Sequence, residues 1–176
     1  MTLLASLRRQ WLLALIYCVT AAAAVSMTRV TGTVAFVWPS TAILLAALLR
    51  TRRANWWAPL TVCGLGSILV TGFFGLGWAA AVPFAFVNLF DAAFAAFLFR
   101  RLADPREPMQ SLGWYYRFVA VAGLAAPLAA ALPAAATLAA MGSDPVDALF
   151  SFYVGHALGN LAITPIAMLL TGRRRR

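Results

Sequence analysis

With 176 residues, of which 63% are hydrophobic, the chain carries more apolar surface than a soluble domain of its size can bury. Its formal net charge of +9 rests on arginine alone, and the absence of lysine excludes a lysine Schiff base and therefore a retinal-type photoreceptor. The arginines lie at the ends of apolar stretches and not on one basic face. This placement indicates contacts with anionic lipid headgroups and predicts no nucleic-acid partner.

The positions of the fourteen arginines predict a membrane topology. If successive apolar stretches cross a bilayer in alternate directions, thirteen arginines lie on one side of it and only Arg29 lies on the other. Loops rich in Lys or Arg stay in the cytoplasm, so we predict a multi-pass protein of the inner membrane with both termini in the cytoplasm. The thirteen stand at positions 8, 9, 50, 52, 53, 100, 101, 106, 117 and 173–176.

Six apolar stretches predict an all-α bundle of about six transmembrane helices, which forms a single domain over residues 1–176. In chain order these helices are predicted at residues 11–30, 34–49, 56–74, 79–99, 115–140 and 145–170. The first run is about 20 residues long, which suffices to cross a bilayer, so we interpret it as a retained helix and not as a cleaved signal peptide. The loops opposite the arginines are too short to fold into an extracellular ligand domain.

The two cysteines and the single histidine argue against a metal or redox centre. Cys18 and Cys63 both lie within apolar stretches, which favours small buried hydrophobic side chains over a disulfide or a metal pair. One histidine offers only one axial ligand per chain, which argues against a haem site. We therefore predict no metal and no cofactor.

A proline interrupts the second apolar stretch near the end opposite the arginines, within Trp38, Pro39 and Ser40. Proline cannot donate its amide and disfavours helix at the residue before it. If the helix begins at Pro39, residues 34–38 are irregular at membrane depth, which is tolerated only against protein or a water-filled cavity. Broken helices are typical of binding sites in membrane proteins, and the alternative is a simple proline kink.

Four polar residues lie deep in the fourth and sixth helices. Asn88 and Asp91 are three residues apart, and His156 and Asn160 are four apart, so each pair shares one helix face. At about 1.5 Å per residue, both pairs fall at similar depths, so we predict that Asp91 and His156 meet, directly or through water. The alternative is that these residues only bond the helices together. We predict a ligand-binding site formed by Trp38, Pro39, Ser40, Asn88, Asp91, His156 and Asn160.

Small residues and prolines give weaker signals. Gly155 and Gly159 form a G-x-x-x-G motif, which predicts the close approach of another helix, within the chain in preference to a dimer partner. Pro127 and Pro133 in the fifth helix, and Pro165 in the sixth, are interpreted as kinks.

Three segments together resemble the first family of bacterial membrane-associated sensor domains. They are V-W-P-S-T-A at residues 37–42, N-L-F-D at 88–91 followed by F-R-R at 99–101, and G-H-A-L-G-N at 155–160 followed by T-P at 164–165. The resemblance implies an input module of diguanylate cyclases, phosphodiesterases and sensor histidine kinases, which signals and does not catalyse. The chain departs from the family pattern at His156, where the family tends to have Asp. It also has fewer helices than family members, and no GGDEF-like, EAL-like or kinase signature.

The resemblance favours a membrane sensor that binds a small ligand, a lipid or a partner and relays the signal to a cytoplasmic output. The expected partners are the lipid bilayer, an unknown small molecule, and a cyclase or kinase acting as a separate protein or a missing C-terminal domain. A homodimer is left open. The alternative function is the substrate-capture subunit of a small-molecule uptake transporter, which six helices and short loops also fit. We predict no enzyme. The chain has one histidine, one intramembrane carboxylate and no nucleophile elbow, which is too little for a hydrolase site.

Overall fold

The structure is a computed structural model that describes residues 3–31, 37–104 and 111–171, with side chains of the first helix described from residue 7 to residue 27. The predicted all-α fold is confirmed, and the described residues contain no strand. The elements in chain order are α1 (Leu3–Thr31), α2 (Pro39–Arg50), a 3₁₀ turn (Arg53–Asn55), α3 (Trp57–Phe74), α4 (Trp78–Leu102), α5 (Leu112–Phe118), a π-helical segment (Val119–Ala125), α6 (Ala126–Ala140) and α7 (Pro145–Thr171).

Among the described residues, five helical spans are long and apolar enough to cross a membrane, with α5, the π-helical segment and α6 counted as one span, and α2 is a shorter apolar helix. Its 12 residues reach about 18 Å, less than the ~30 Å of a hydrocarbon core. Trp38 before it has φ −111° and ψ 87°, outside the helical region, because the ring of Pro39 disfavours helix at the preceding residue. The prediction of a helix from residue 34 is therefore wrong at residues 37 and 38, and residues 32–36 lie outside the described part of the chain.

The ends of the helices that carry arginines gather at one end of the bundle, here called the arginine end. Arg50 at the end of α2 donates to the carbonyl oxygen of Thr171 at the end of α7, at 2.9 Å. Arg100 near the end of α4 donates to the carbonyl oxygen of Leu49, at 2.8 Å. Side-chain packing at the same end joins α4 to the start of α5. This arrangement fits the predicted alternation of helices, and the cytoplasmic position of the two termini stays a prediction.

Small side chains fill the interior and large apolar side chains cover the outside. Buried alanines at the helix contacts let the backbones approach closely, as membrane interfaces require, and they include Ala92, Ala95, Ala96, Ala130 and Ala134. Large apolar side chains face outward on the long helices, among them Leu12, Leu65, Phe86, Leu132 and Leu169. The fold therefore matches a bundle solvated by lipid, with its polar residues turned inward.

Candidate functional site

Asp91 of α4 and His156 of α7 meet in the interior of the bundle, as the sequence predicts. The His156 Nδ1 atom lies 2.8 Å from the Asp91 Oδ2 atom, and the two side chains are 4% and 0% exposed. A carboxylate enclosed by apolar helices is costly unless it is paired and hydrogen-bonded. The imidazole provides that partner, so one polar contact fixes the two helices at mid-depth.

Asn160 of α7 joins the same group and also reaches the π-helical segment. Its Nδ2 atom lies 3.5 Å from Asp91 Oδ2 and donates to the Ala122 carbonyl oxygen at 3.1 Å. The Ala126 amide bonds to Val121, five residues back, as π geometry requires. With the same five-residue spacing, the Ala122 carbonyl oxygen would accept from the backbone amide of residue 127, but Pro127 has no amide hydrogen. Asn160 therefore satisfies a buried carbonyl that Pro127 leaves without a backbone donor.

This arrangement predicts energetic coupling between Asn160 and Pro127. We expect Asn160→Ala to lower the free energy of unfolding by about 1 kcal/mol, because the Ala122 carbonyl loses its donor. In a Pro127→Ala background the new backbone amide supplies that donor, so the same substitution should cost less than half as much. The measurement is a double-mutant cycle of unfolding in bicelles, with Pro133→Ala as the matched control. Equal costs in both backgrounds would contradict the assignment.

Two aromatic rings lie nearly parallel to the His156 ring. The Phe152 ring stacks on it with centroids 3.8 Å apart, and the Trp38 ring lies parallel to it at 6.0 Å. The backbone of Trp38 is fixed as well, since its amide donates to the Gly155 carbonyl oxygen at 2.9 Å. A Cβ atom on Gly159 would stand 2.4 Å from the Trp38 carbonyl oxygen. The G-x-x-x-G motif therefore contacts the backbone of Trp38, the non-helical residue before α2. The close approach is within the chain, as predicted, but its partner is not a helix.

Asn88, three residues before Asp91 on α4, belongs to a second polar group, which involves α3 and α1. Its Nδ2 atom donates to the Ser67 hydroxyl of α3 at 3.1 Å, and both side chains are buried. The hydroxyl of Tyr17 in α1 lies beside the hydroxyls of Ser67 and Ser40. The predicted site is therefore split into two groups. Asp91, His156, Asn160 and Trp38 form one of them, and Asn88 and Ser40 join the other, with Pro39 as the first residue of α2 between them.

Three further polar residues of the interior were not predicted as site residues. They are Tyr17 and Ser67 of the second group and Thr164 of α7. Tyr17 is fully buried and Ser67 is 2% exposed. Thr164 donates to the Ala42 carbonyl oxygen at 3.2 Å and ties the first turn of α2 to α7. Two signals were available in the sequence. Thr164 lies four residues after Asn160 and Ser67 four residues before Thr71, each pair on one helix face. A buried tyrosine hydroxyl also normally finds a polar partner.

Several buried polar atoms in these groups have no hydrogen-bond partner among the described residues. Acceptors without a donor and donors without an acceptor both occur, although most buried polar atoms in proteins are paired. The atoms are Asn88 Oδ1, Asp91 Oδ1, Asn160 Oδ1, Trp38 Nε1, Ser40 Oγ and Tyr17 OH. The interior of the bundle therefore offers both donors and acceptors to a small polar molecule.

A metal site finds no support in the described residues, which contain no group of three His, Cys, Asp or Glu side chains able to hold an ion. Cys18 and Cys63 are unpaired, and Cys63 is buried while Cys18 is half-buried. The burial that the sequence predicts for both cysteines is therefore complete for Cys63 and partial for Cys18.

Comparisons with known proteins place these observations in a family context. A family model described as MASE1 matches residues 9–176. Among curated proteins, the probable diguanylate cyclase DgcE of Escherichia coli (strain K12) is 24% identical over 133 residues. The match covers 76% of this chain and 12% of the relative, so the chain spans a small part of the relative's length. No solved structure matches the chain significantly.

Proposed function

Because this chain belongs to the MASE1 family of membrane sensor input domains, we propose that it binds a small ligand, a lipid or a partner within its bundle and relays that event to a cytoplasmic output partner. It is a multi-pass protein of the inner membrane, and the family's domains are sensory and not themselves catalytic. Its relative, a probable diguanylate cyclase, supports a cyclase as the output.

The contact between Asp91 and His156 is the observation that carries this proposal. It joins α4 to α7, and the Trp38 ring stacked on His156 joins α2 to the same point. A ligand can shift such an arrangement only if it binds one state better than another. Polar atoms of this group that have no partner, such as Asp91 Oδ1, could bind a ligand in one arrangement of the helices and not in another.

The route from the site to the arginine end is short and continuous. Helix α7 runs without interruption from His156 to Thr171, a rise of about 22 Å. At its end Arg50 donates to the carbonyl oxygens of Met168 and Thr171, which are among the last groups of α7 without an intrahelical donor. A displacement of α2 or α7 at the site would therefore reach the end of α7, where an output partner would receive it.

The test is a fusion of the chain to a diguanylate cyclase whose output is followed with a cyclic-di-GMP reporter. The wild-type fusion should change its output across a set of growth conditions. We expect Asp91→Asn and His156→Ala to insert normally and to lose this change, because each breaks the buried contact. Asp147→Asn, an exposed aspartate in the first turn of α7, is the matched control and should respond like wild type. Normal responses from both buried variants would refute the proposal.

A further inference from the structure

The start of α2 lies inside the bundle and carries partial positive charge. With Arg50 at the arginine end, a helix of about 18 Å places Pro39 within the ~30 Å hydrocarbon layer. Ser40 and Thr41 are fully buried there. The first amides of a helix have no intrahelical acceptor, and the helix dipole adds to their positive potential. Proline at the first position supplies no donor, so the amides that follow it are the available ones.

Two fully buried hydroxyls at this point lie beside each other but make no hydrogen bond of normal geometry to the described residues. They belong to Ser40, in the first turn of α2, and Tyr17 of α1, whose hydroxyl lies beside that of Ser40. Helical side chains tilt toward the N-terminus, so the Ser40 hydroxyl stands over the start of α2. The Trp38 Nε1 atom is a third unpartnered donor, on the residue that precedes the helix. Each of these atoms can donate a hydrogen bond.

No described acidic side chain occupies this cluster of donors. Asp91 is buried in the bundle, and its Oδ2 atom is taken by His156 and Asn160. Asp104, Asp144 and Asp147 are exposed near helix ends. Phosphate groups are usually bound by arginine or lysine, and Arg50 stands at the opposite end of α2. Helix starts bind both kinds of anion, but burying charge without a counter-ion is costly, so these neutral donors favour a singly charged carboxylate over a doubly charged phosphate.

We infer that the start of α2 binds the carboxylate of a small ligand, with the Tyr17 and Ser40 hydroxyls donating to its oxygens. The inference rests on the proposed function and deepens it, since it names the chemical class of the ligand. A carboxylate there would lie next to Trp38, which stacks on His156. Its binding would therefore act directly on the contact between α2 and α7.

The test measures thermal unfolding of the full chain in nanodiscs at neutral pH with sodium formate, acetate or propionate. Sodium chloride at equal ionic strength and neutral acetamide are the reference solutes. We expect a saturable rise in Tm with at least acetate and none with acetamide, because ligand binding to the folded state stabilises it. Tyr17→Phe and Ser40→Ala should each raise the apparent Kd about tenfold by removing one hydrogen bond to a charged group. Tyr115→Phe and Ser26→Ala, at exposed positions, should leave the Kd unchanged.

Three results would overturn the inference: no saturable effect of any carboxylate, an equal effect of acetamide, or an unchanged Kd in both hydroxyl variants. None of them bears on the cyclase fusion, where loss of response in Asp91→Asn would still support the proposed function. If carboxylates bind with the expected dependence on Tyr17 while Asp91→Asn and His156→Ala respond normally, the site stands and the proposed function fails. The two failures are therefore distinguishable.

Discussion

Gly159→Ala is expected to lower the free energy of unfolding by about 3 kcal/mol, toward the upper part of the range for overpacked interiors. The added Cβ atom would stand 2.4 Å from the Trp38 carbonyl oxygen and 2.9 Å from its carbonyl carbon. These are backbone atoms, and the Trp38 amide is held to the Gly155 carbonyl oxygen. The start of α2 would have to leave α7, which also separates the Trp38 ring from His156.

Reversible unfolding in bicelles measures this cost, and Gly64→Ala is the matched control. Gly64 is also a buried helical glycine, but an added Cβ atom would meet the terminal carbon of the Leu89 side chain at 3.0 Å. A flexible side chain can give way, so the control should lose less than about 1 kcal/mol. If Gly159→Ala and Gly64→Ala are equally stable, α2 does not rest on α7 as described.

Arg50→Gln is expected to weaken the coupling between the buried site and a fused output by about tenfold, within the usual range of coupling between two sites. The guanidinium of Arg50 donates to two carbonyl oxygens in the last turn of α7. Its positive charge also suits the C-terminal end of a helix dipole. Glutamine is shorter and neutral, so α2 would lose its direct hold on the end of α7.

The cyclase fusion measures this effect as the ratio of its outputs in two growth conditions. Arg52→Gln is the control, because Arg52 is exposed and lies two residues away at the same end of the bundle. Both variants remove one positive charge from the same end of the bundle, so a change in membrane topology would affect them equally. A response that falls equally in both variants would mean that charge, and not the hydrogen bonds of Arg50, is responsible.

The positions of the helices and the meeting of Asp91 with His156 could be predicted because each depends on regular spacing. Apolar length sets the spans, and depth along two parallel helices places the carboxylate opposite the imidazole. The end of α7 was predicted at residue 170 and lies at Thr171. Regular helix geometry is therefore enough to predict the central contact of the site from the sequence.

The sequence could not predict the features that depend on irregular backbone. Pro127 indicated a kink, but the π-helical segment before it and the use of Asn160 to satisfy Ala122 depend on how α6 meets α7. The second polar group was not predicted because Tyr17, Ser67 and Asn88 lie on three different helices, and spacing along one helix does not show which helices meet. Which faces of α1 and α3 pack together is decided by side-chain volumes along the whole interface.

The hydrogen bond between the Trp38 amide and the Gly155 carbonyl oxygen also constrains the order of events during synthesis. The ribosome makes Trp38 early, whereas its acceptor belongs to the last described helix. Until α7 has been translated, an amide that the bilayer cannot solvate lacks its native acceptor. The first half of the chain must therefore stay in the insertion machinery, or in a conformation without this hydrogen bond, until α7 has been inserted.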